Sequence, residues 1–196
     1  MIKRSVIKEI DKVIKNIWLN EICSEYGNGF YLVESGIQCS LYHHLRNKLE
    51  MMLTDNNLIV YPEFYFSDLK YFADIAICQM DMSLDTCRLS DKLIDIAAIV
   101  ELKYGGSQDY IKSDIPKLKN YVQSLGYDCQ YYFGVIDNTT QRNKLNWLDK
   151  RSTNNWAYGC FTELNAGWLG DEMCFEVNSY NNLNFQHKMV PCSVNW

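Results

Sequence analysis

The sequence predicts an α/β fold in which a mixed central β-sheet is flanked by helices. Two runs, residues 71–78 and 94–103, are rich in Ile, Val, Leu and Ala, which is typical of strands covered on both faces. Residues 109–125 repeat apolar side chains at helical spacing, and residues 129–136 form another apolar run. A helix of this length can carry the chain back across a sheet. We therefore expect the strands at 94–103 and 129–136 to be parallel neighbours.

Two amphipathic helices are predicted before the first strand. Around residues 5–23, apolar side chains recur every three or four positions, and the opposite face is basic: Lys3, Arg4, Lys8, Lys12 and Lys15. This basic face is interpreted as solvated, with phosphate binding as the alternative. After a turn at residues 26–29, a second helix is expected from Glu34 to about Leu53.

Proline positions add detail to the middle of the chain. Residues 58–66 predict the first strand, and Pro62 within it favours an edge position or a bulge. Residues 79–92 predict a polar connection, either a plain loop or a hairpin tip that faces a substrate. Pro116 lies inside the helical pattern after the second apolar run. There it predicts either a kink or a helix restart with Pro116 in the first turn.

The last third of the chain changes character. Residues 141–150 predict a short helix, and from residue 152 onward the chain is rich in Asn, Trp, Tyr and Gly. Three short runs in this part are typical of strands: 156–164, 173–177 and 185–190. The C-terminal part is therefore expected to be rich in β-structure.

Charged residues interrupt the two most apolar strands. Glu101 and Lys103 are two positions apart, so their side chains emerge on the same side of a strand. Taken alone, they are typical of an ion pair at a strand end. Asp74 lies in the preceding apolar strand, and together these residues predict two carboxylates and a lysine converging on one spot. Mg²⁺ prefers oxygen ligands, and a lysine beside it can steady a water nucleophile or the charge that develops on phosphorus.

The order Ala73-Asp74, twenty-six residues, then Glu101-Leu102-Lys103 resembles the PD-(D/E)XK nuclease superfamily. This is the fold of many restriction endonucleases and Holliday-junction resolvases, and Ala73 stands where the family name has proline. The resemblance covers residues 34–136 and implies a restriction-endonuclease-like core. It also implies that Asp74, Glu101 and the Leu102 backbone carbonyl hold Mg²⁺, with Mn²⁺ as a substitute. Lys103 would then orient water or stabilise the transition state.

Further residues enter the site through the resemblance. Many family members carry a glutamate early in the first core helix, facing the metal, and Glu34 matches by position. Its alternative role is to stabilise the positive end of the helix dipole. In the family, the helix after the strand that carries Glu101 and Lys103 (the ExK strand) commonly flanks the site. Lys112 and Lys117 are therefore candidates for phosphate contact, with a solvated lysine face as the alternative.

Length and charge limit the classes of function. A chain of 196 residues is long enough for one well-buried domain, here expected as a core at 34–136 with a helical addition at 1–28 and a β-rich addition at 152–196. The formal net charge of −5 indicates that nucleic acid would be bound through a local patch or with the help of metal ions.

The cysteines and the hydropathy pattern predict the compartment. Eight cysteines are scattered without a CxxC motif or a histidine at zinc spacing. No signal peptide and no apolar run of membrane-spanning length is recognised. We therefore expect a cytoplasmic protein with reduced thiols and no membrane partner.

The expected function is that of a metal-dependent phosphodiesterase or endonuclease, which hydrolyses phosphodiester bonds in nucleic acid. DNA is the first expectation for the substrate. A homodimer or a larger complex is compatible with the sequence. One alternative is a catalytically inactive module of the same fold that binds nucleic acid or a protein. Another is an ordinary α/β interaction domain in which Glu101 and Lys103 form only an ion pair.

Overall fold

Seven strands form one mixed sheet, and their order in the sheet is their order along the chain. The computed structural model describes residues 1–142 and 144–196, and the side chains of these residues other than 89 and 140–142. The strands are β1 (Leu58–Phe66), β2 (Tyr71–Met80), β3 (Leu93–Tyr104), β4 (Gln130–Arg142), β5 (Phe161–Leu169), β6 (Glu172–Ser179) and β7 (His187–Pro191). The central pairs β3–β4 and β4–β5 are parallel, and the outer pairs are antiparallel. The predicted α/β class, mixed sheet and parallel β3–β4 pair are confirmed.

Helices cover both faces of the sheet. They are α1 (Arg4–Ile17), α2 (Cys23–Gly27), α3 (Glu34–Asp55), α4 (Gln108–Lys112), α5 (Ile115–Leu125) and α6 (Lys150–Thr153), with a π-helical turn at Trp18–Ile22 between α1 and α2. Buried side chains of α1 to α3 pack with Val100 and Leu102 on one face. Those of α4 and α5 pack with Ile99 and Phe133 on the other face. The molecule therefore has three layers, with the sheet in the middle.

The N-terminal helices are anchored to the centre of the sheet by Trp18. Its indole is fully buried, and its Nε1 donates a hydrogen bond to the Asn165 carbonyl of β5 at 3.1 Å. Gly134 of β4 makes this approach possible. A Cβ atom at that position would lie 2.6 Å from Leu102 Cδ2 and 3.3 Å from the Trp18 ring. Any larger residue would have to displace one of these side chains.

The basic face predicted for the first helix is wrong at Lys15, which is fully buried. Its Nζ forms an ion pair with Asp11 at 2.8 Å and donates to Ser179 Oγ at 3.0 Å. The Tyr132 hydroxyl donates to the same aspartate at 2.9 Å. Burial of this charge is tolerated because its carboxylate partner and hydrogen-bond acceptors are buried with it.

For each of the two prolines, the structure shows one of the two predicted alternatives: an edge strand for Pro62 and a helix restart for Pro116. β1, which contains Pro62, lies at the edge of the sheet. The helix predicted for 109–125 is divided, because α4 ends at Lys112 and α5 begins at Ile115 with Pro116 in its first turn. Pro116 cannot donate a backbone hydrogen bond to the preceding turn, so it is accommodated where no such bond is needed.

The predicted helix at 141–150 is wrong. Residues 141–142 continue β4, residues 144–149 are not helical, and α6 starts only at Lys150, while Asn143 lies outside the described residues. The strand predicted for 156–164 begins later, at Phe161. β5 pairs with β4, so the C-terminal strands extend the central sheet. Among the described residues, no helix has the length and apolar character needed to cross a bilayer.

Candidate functional site

Strands β2 and β3 separate at one end, and the predicted site residues lie in the resulting fork. The antiparallel register between the two strands ends at Ile75 opposite Val100. Beyond that point, β2 residues 71–73 pair with β1, and β3 residues 101–104 pair with β4. One step past the last pair, the same register places Asp74 opposite Glu101. Residues directly opposite each other in an antiparallel pair project from the same face of the sheet.

Asp74 bridges the fork. Its Oδ2 accepts a hydrogen bond from the Leu102 backbone N–H at 2.6 Å, and its backbone carbonyl accepts one from Gln38 Nε2 of α3 at 2.7 Å. The pKa of Asp74 is raised to about 6. Burial is the main cause and the charge of Glu34 adds to it, while the hydrogen bond from the Leu102 N–H opposes them. The Asp74 carboxylate is thus held by β3, and its backbone is tied to α3.

Glu101 buries a carboxyl group that is only half satisfied. The residue is 1% exposed, and its Oε2 forms an ion pair with Lys117 Nζ at 2.7 Å. Its Oε1 is buried and has no hydrogen-bond partner among the described residues. Burial and then the Asp74 charge raise the pKa of Glu101 to about 8, because together they outweigh the opposing effect of Lys117. The Tyr121 hydroxyl, which is also buried without a regular hydrogen bond to a described residue, lies beside Glu101. Burial raises the pKa of Tyr121, and so do the charge of this carboxylate and its hydrogen-bonding interaction with the hydroxyl.

Lys103 is held between two acids from different layers. Its Nζ lies 2.8 Å from Asp114 Oδ2 and 3.5 Å from Glu34 Oε1, and 5.2 Å from the centre of the Tyr110 ring. Burial lowers the pKa of Lys103, but the hydrogen bond and charge of Asp114, with a smaller effect of Glu34, raise it above its ordinary value. The ammonium group therefore keeps its proton at neutral pH.

Glu101 and Lys103 are therefore not ion-pair partners of one another. Glu101 pairs with Lys117, and Lys103 pairs with Asp114. Asp114 is the N-cap residue of α5, and Lys117 lies in the first turn of the same helix. Residues three apart on a helix share a face. The helix restart at Pro116 thus supplies one partner for Glu101 and one for Lys103.

The remaining candidates divide into near and distant residues. Glu34 is the first residue of α3 and contacts Lys103, so it faces the site. Lys117 lies in the site, but its ammonium group is bound to Glu101. Lys112 is exposed on α4, and no ion pair of its side chain is found among the described residues.

The carboxylates of the fork determine which kind of metal site these residues fit. Over the described part of the chain, no group of three or more His, Cys, Asp or Glu side chains could hold one ion. Asp74 and Glu101 remain as a pair of possible metal ligands, and Glu101 Oε1 is a buried oxygen without a regular hydrogen bond among these residues. Mg²⁺ is commonly held by one or two carboxylates, completed by water and substrate phosphate. The residues present fit such an ion, and they do not fit a closed site made of protein ligands alone.

Sequence reasoning missed Asp114, and it placed Gln38 on the helix face of Glu34 without giving it a role at the site. Asp114 directly precedes the helix restart and is three residues before Lys117, which is a visible signal. Its contact with Lys103 depends on how α5 packs on the sheet, and no local pattern encodes that. Gln38 shares a helix face with Glu34, and its two acceptors, Glu63 and the Asp74 carbonyl, come from neighbouring strands.

Three comparisons with known proteins found no similar protein, so a function can be argued only from the geometry of the fork. A scan against protein-family models found no family that matches this chain. A search of curated proteins and a search of solved structures found no match either.

Proposed function

We propose that this chain is a metal-dependent phosphodiesterase that cleaves nucleic acid, with DNA as the substrate to test first and Mg²⁺ or Mn²⁺ as the ion. The observation that supports it most is the approach of two buried carboxyl groups, Asp74 and Glu101, the second of which has an oxygen, Oε1, that makes no regular hydrogen bond to any described residue although the Tyr121 hydroxyl lies beside it. A structural carboxylate at such a position is normally fully hydrogen-bonded, because an unmade hydrogen bond in the interior is costly. Both carboxyl groups also have a raised pKa, so a cation between them would relieve their desolvation and repulsion.

Each residue of the fork has a role in this proposal. Asp74 and Glu101 hold the ion, with the Leu102 carbonyl as the further donor that the resemblance implies. Glu101 can keep Lys117 on Oε2 while Oε1 serves the ion. When bound, the ion supplies charge neutralisation and polarises a phosphate oxygen.

Lys103 acts on the reacting phosphate in this proposal. Its ammonium group keeps its proton because Asp114 and Glu34 stabilise the charge. A fixed positive charge in a site with little water stabilises the negative charge that develops on the phosphate oxygens, or holds the attacking water. Asp114 and Glu34 are positioning residues for that ammonium group.

A second function is favoured by one specific observation. Glu101 and Lys103 each already have a partner on the protein, Lys117 for Glu101 and Asp114 for Lys103. Such an arrangement also suits a catalytically inactive module with the restriction-endonuclease-like fold, which binds nucleic acid or a protein. This second proposal requires neither a bound ion nor cleavage.

The deciding experiment is cleavage of supercoiled plasmid DNA by the purified chain in Mg²⁺, in Mn²⁺ and in EDTA. We expect nicked or linear product with either ion and none in EDTA. Glu101→Gln should reduce the rate by about 10²-fold or more, because it removes a charge that holds the ion. Glu50→Gln is the matched control, since Glu50 is exposed on α3 away from the fork. Its rate should equal that of the unsubstituted chain.

Two outcomes would overturn the proposal. Equal rates for the wild type and Glu101→Gln would show that the cleavage does not come from this site. No cleavage of plasmid, single-stranded DNA or RNA in either ion, together with retained binding of one of them, would favour the inactive module.

A further inference from the structure

Two cysteines from opposite ends of the chain face each other on the side of the molecule formed by the N-terminal helices. Cys192 Sγ donates to the Cys23 carbonyl at 3.1 Å, and Cys23 Sγ lies 4.0 Å from the carbonyl of Pro191, the residue before Cys192. Each thiol therefore points at the backbone segment that carries the other. Cys23 is the first residue of α2, and Cys192 directly follows β7.

Both thiols line the same open groove. This groove has a volume of about 370 Å³, and its lining includes Cys23, Cys192 and the polar residues Asn20 and Ser24. Each cysteine is 7% exposed. A small polar oxidant can enter a groove of this size, since a water molecule takes up about 30 Å³ of liquid volume.

We propose that Cys23 and Cys192 form a redox-active pair that a hydroperoxide converts into a disulfide. This site is independent of the β2–β3 fork and of the phosphodiesterase proposal. The fork residues come from α3, β2, β3 and the start of α5, whereas the thiols belong to α2 and to the segment after β7.

The two thiols are suited to different parts of the reaction. The hydrogen bond from Cys23 and the backbone N–H of Gly27 lower the pKa of Cys192, although burial opposes them. The pKa of Cys23 is raised, mainly by its hydrogen bond with Cys192 and to a smaller extent by burial. Cys192, which donates its proton to the Cys23 carbonyl in the resting state, therefore gives that proton up more readily than Cys23 does. A lowered pKa makes a cysteine the one that attacks peroxide.

Oxidation of the pair by a hydroperoxide takes two steps. The Cys192 thiolate attacks one oxygen of the hydroperoxide, the O–O bond breaks, and the leaving alkoxide or hydroxide takes up a proton. Cys192 becomes a sulfenic acid. The Cys23 sulfur then attacks the Cys192 sulfur, forming the S–S bond and breaking the S–O bond. Hydroxide leaves with the Cys23 proton as water, so two thiols are oxidised and one hydroperoxide is reduced.

The expected product is read directly on the wild-type chain. The chain is treated with hydrogen peroxide, remaining thiols are alkylated, and the protein is digested with trypsin without reduction. We expect the fragment carrying Cys23 to be linked to the fragment carrying Cys192, and dithiothreitol to release the link. Mass spectrometry of these fragments needs no substituted protein to fold.

Substituted chains assign the link to its two sulfurs. Cys39 is exposed and shares the tryptic fragment of Cys23, so Cys39→Ser is the matched control and should keep the link. Cys23→Ser should abolish it and leave a Cys192 sulfenic acid that dimedone traps. Cys174→Ser should keep the link, since Cys174 is the remaining cysteine of the β6–β7 region.

Clear results would overturn the proposal. It fails if peroxide leaves both thiols open to alkylation in the unfolded protein, or if the link persists in Cys23→Ser. It also fails if Cys192 is found linked to Cys174 in the wild type. Failure here would leave the phosphodiesterase proposal untouched, because the plasmid assay is run on the reduced chain.

Discussion

Glu101 is a buried carboxyl group with one oxygen in an ion pair and one that has no regular hydrogen bond within the described part of the chain, and its environment opposes ionisation. Burial is the largest contribution to its raised pKa, the neighbouring Asp74 adds to it, and the ion pair with Lys117 compensates only in part. A carboxyl group of this kind weakens the fold whenever it is charged. The weakening disappears if it is protonated, or if a cation takes the place of the proton.

The pKa of Glu101 predicts how stability depends on pH in EDTA. In the unfolded chain Glu101 ionises near pH 4.5, and in the folded protein near pH 8. Between these values the folded state binds more protons, so the free energy of unfolding falls as pH rises. Glu101→Gln removes this contribution. Urea unfolding at pH 5.5 and pH 8.5 should show that the free energy of unfolding of the variant rises relative to that of the wild type by about 3 kcal/mol at the higher pH.

The opposite result has a definite meaning. If Glu101→Gln is less stable than the wild type at pH 8.5, the ion pair with Lys117 outweighs the cost of burying the charge. The residue would then be structural, as in the second proposal.

Lys103 and Lys112 provide a matched pair of lysines for testing the catalytic role. Lys103→Ala should leave binding of the ion intact and reduce cleavage by about 10²-fold or more, the usual loss for one preorganised charge. Lys112→Ala should have little effect, because Lys112 is exposed and forms no ion pair within the described residues. Initial rates of plasmid nicking measure both. Equal rates for the two variants would remove Lys103 from the mechanism.

Among the structural elements, those with strong periodicity were predictable and those set by packing were not. The strand predicted for 58–66 and the apolar strand ending in Glu101 and Lys103 are observed as β1 and β3. Their composition determines burial on the sheet directly. The helix at 141–150 was mispredicted because β4 continues through residues 141–142, where pairing with β5 resumes. That pairing partner lies about 27 residues further along the chain, and a local pattern does not reveal it.

The same distinction holds for the candidate site. Asp74, Glu101 and Lys103 stand out in the sequence because each is a charge in an apolar strand. Their ion-pair partners do not stand out, because Asp114 and Lys117 occupy an amphipathic helix in which charges are ordinary. Only the docking of α5 against the sheet brings them to the fork.

Gly134 tests how closely the N-terminal helices approach the sheet. A Cβ atom there would overlap Leu102 Cδ2 and press on the Trp18 ring. Gly134→Ala should therefore lower the free energy of unfolding by about 1–3 kcal/mol, the typical cost of overpacking. Gly36→Ala is the matched control, because its Cβ would meet only Tyr31 Cδ1 at an ordinary 3.5 Å. As a helix substitution it should be neutral or stabilising. Similar unfolding curves for the two variants would contradict the close packing at Trp18.

Viewed as a whole, the molecule places its candidate site where all three layers meet. Glu34 and Gln38 reach the fork from α3 on one face, and Asp114 and Lys117 reach it from α5 on the other. The sheet itself contributes Asp74 and Glu101 from strands that separate at this point. A ligand that binds in the fork is therefore linked to the packing of both helical layers, and its binding should be measurable as added stability of the entire fold.

The last prediction uses this linkage and requires no knowledge of the substrate. At an ion concentration a hundred times its Kd, binding should stabilise the wild type by about 2.7 kcal/mol. Asp74→Asn and Glu101→Gln should each reduce this gain, because each removes one of the two carboxylates. Thermal melts of the three proteins in EDTA, Mg²⁺ and Mn²⁺ measure it at fixed pH. Glu50→Gln, with its exposed position on α3, should keep the full shift.

The melts also separate the two proposed functions. A phosphodiesterase needs the ion, so its wild type must show a shift that both site substitutions diminish. An inactive module needs only the two ion pairs of the fork. It should show no shift in either ion, and Glu101→Gln should destabilise it in EDTA because Lys117 loses its partner. A shift of equal size in all four proteins would indicate that the ion binds elsewhere on this acidic chain, and the fork would lose its assignment.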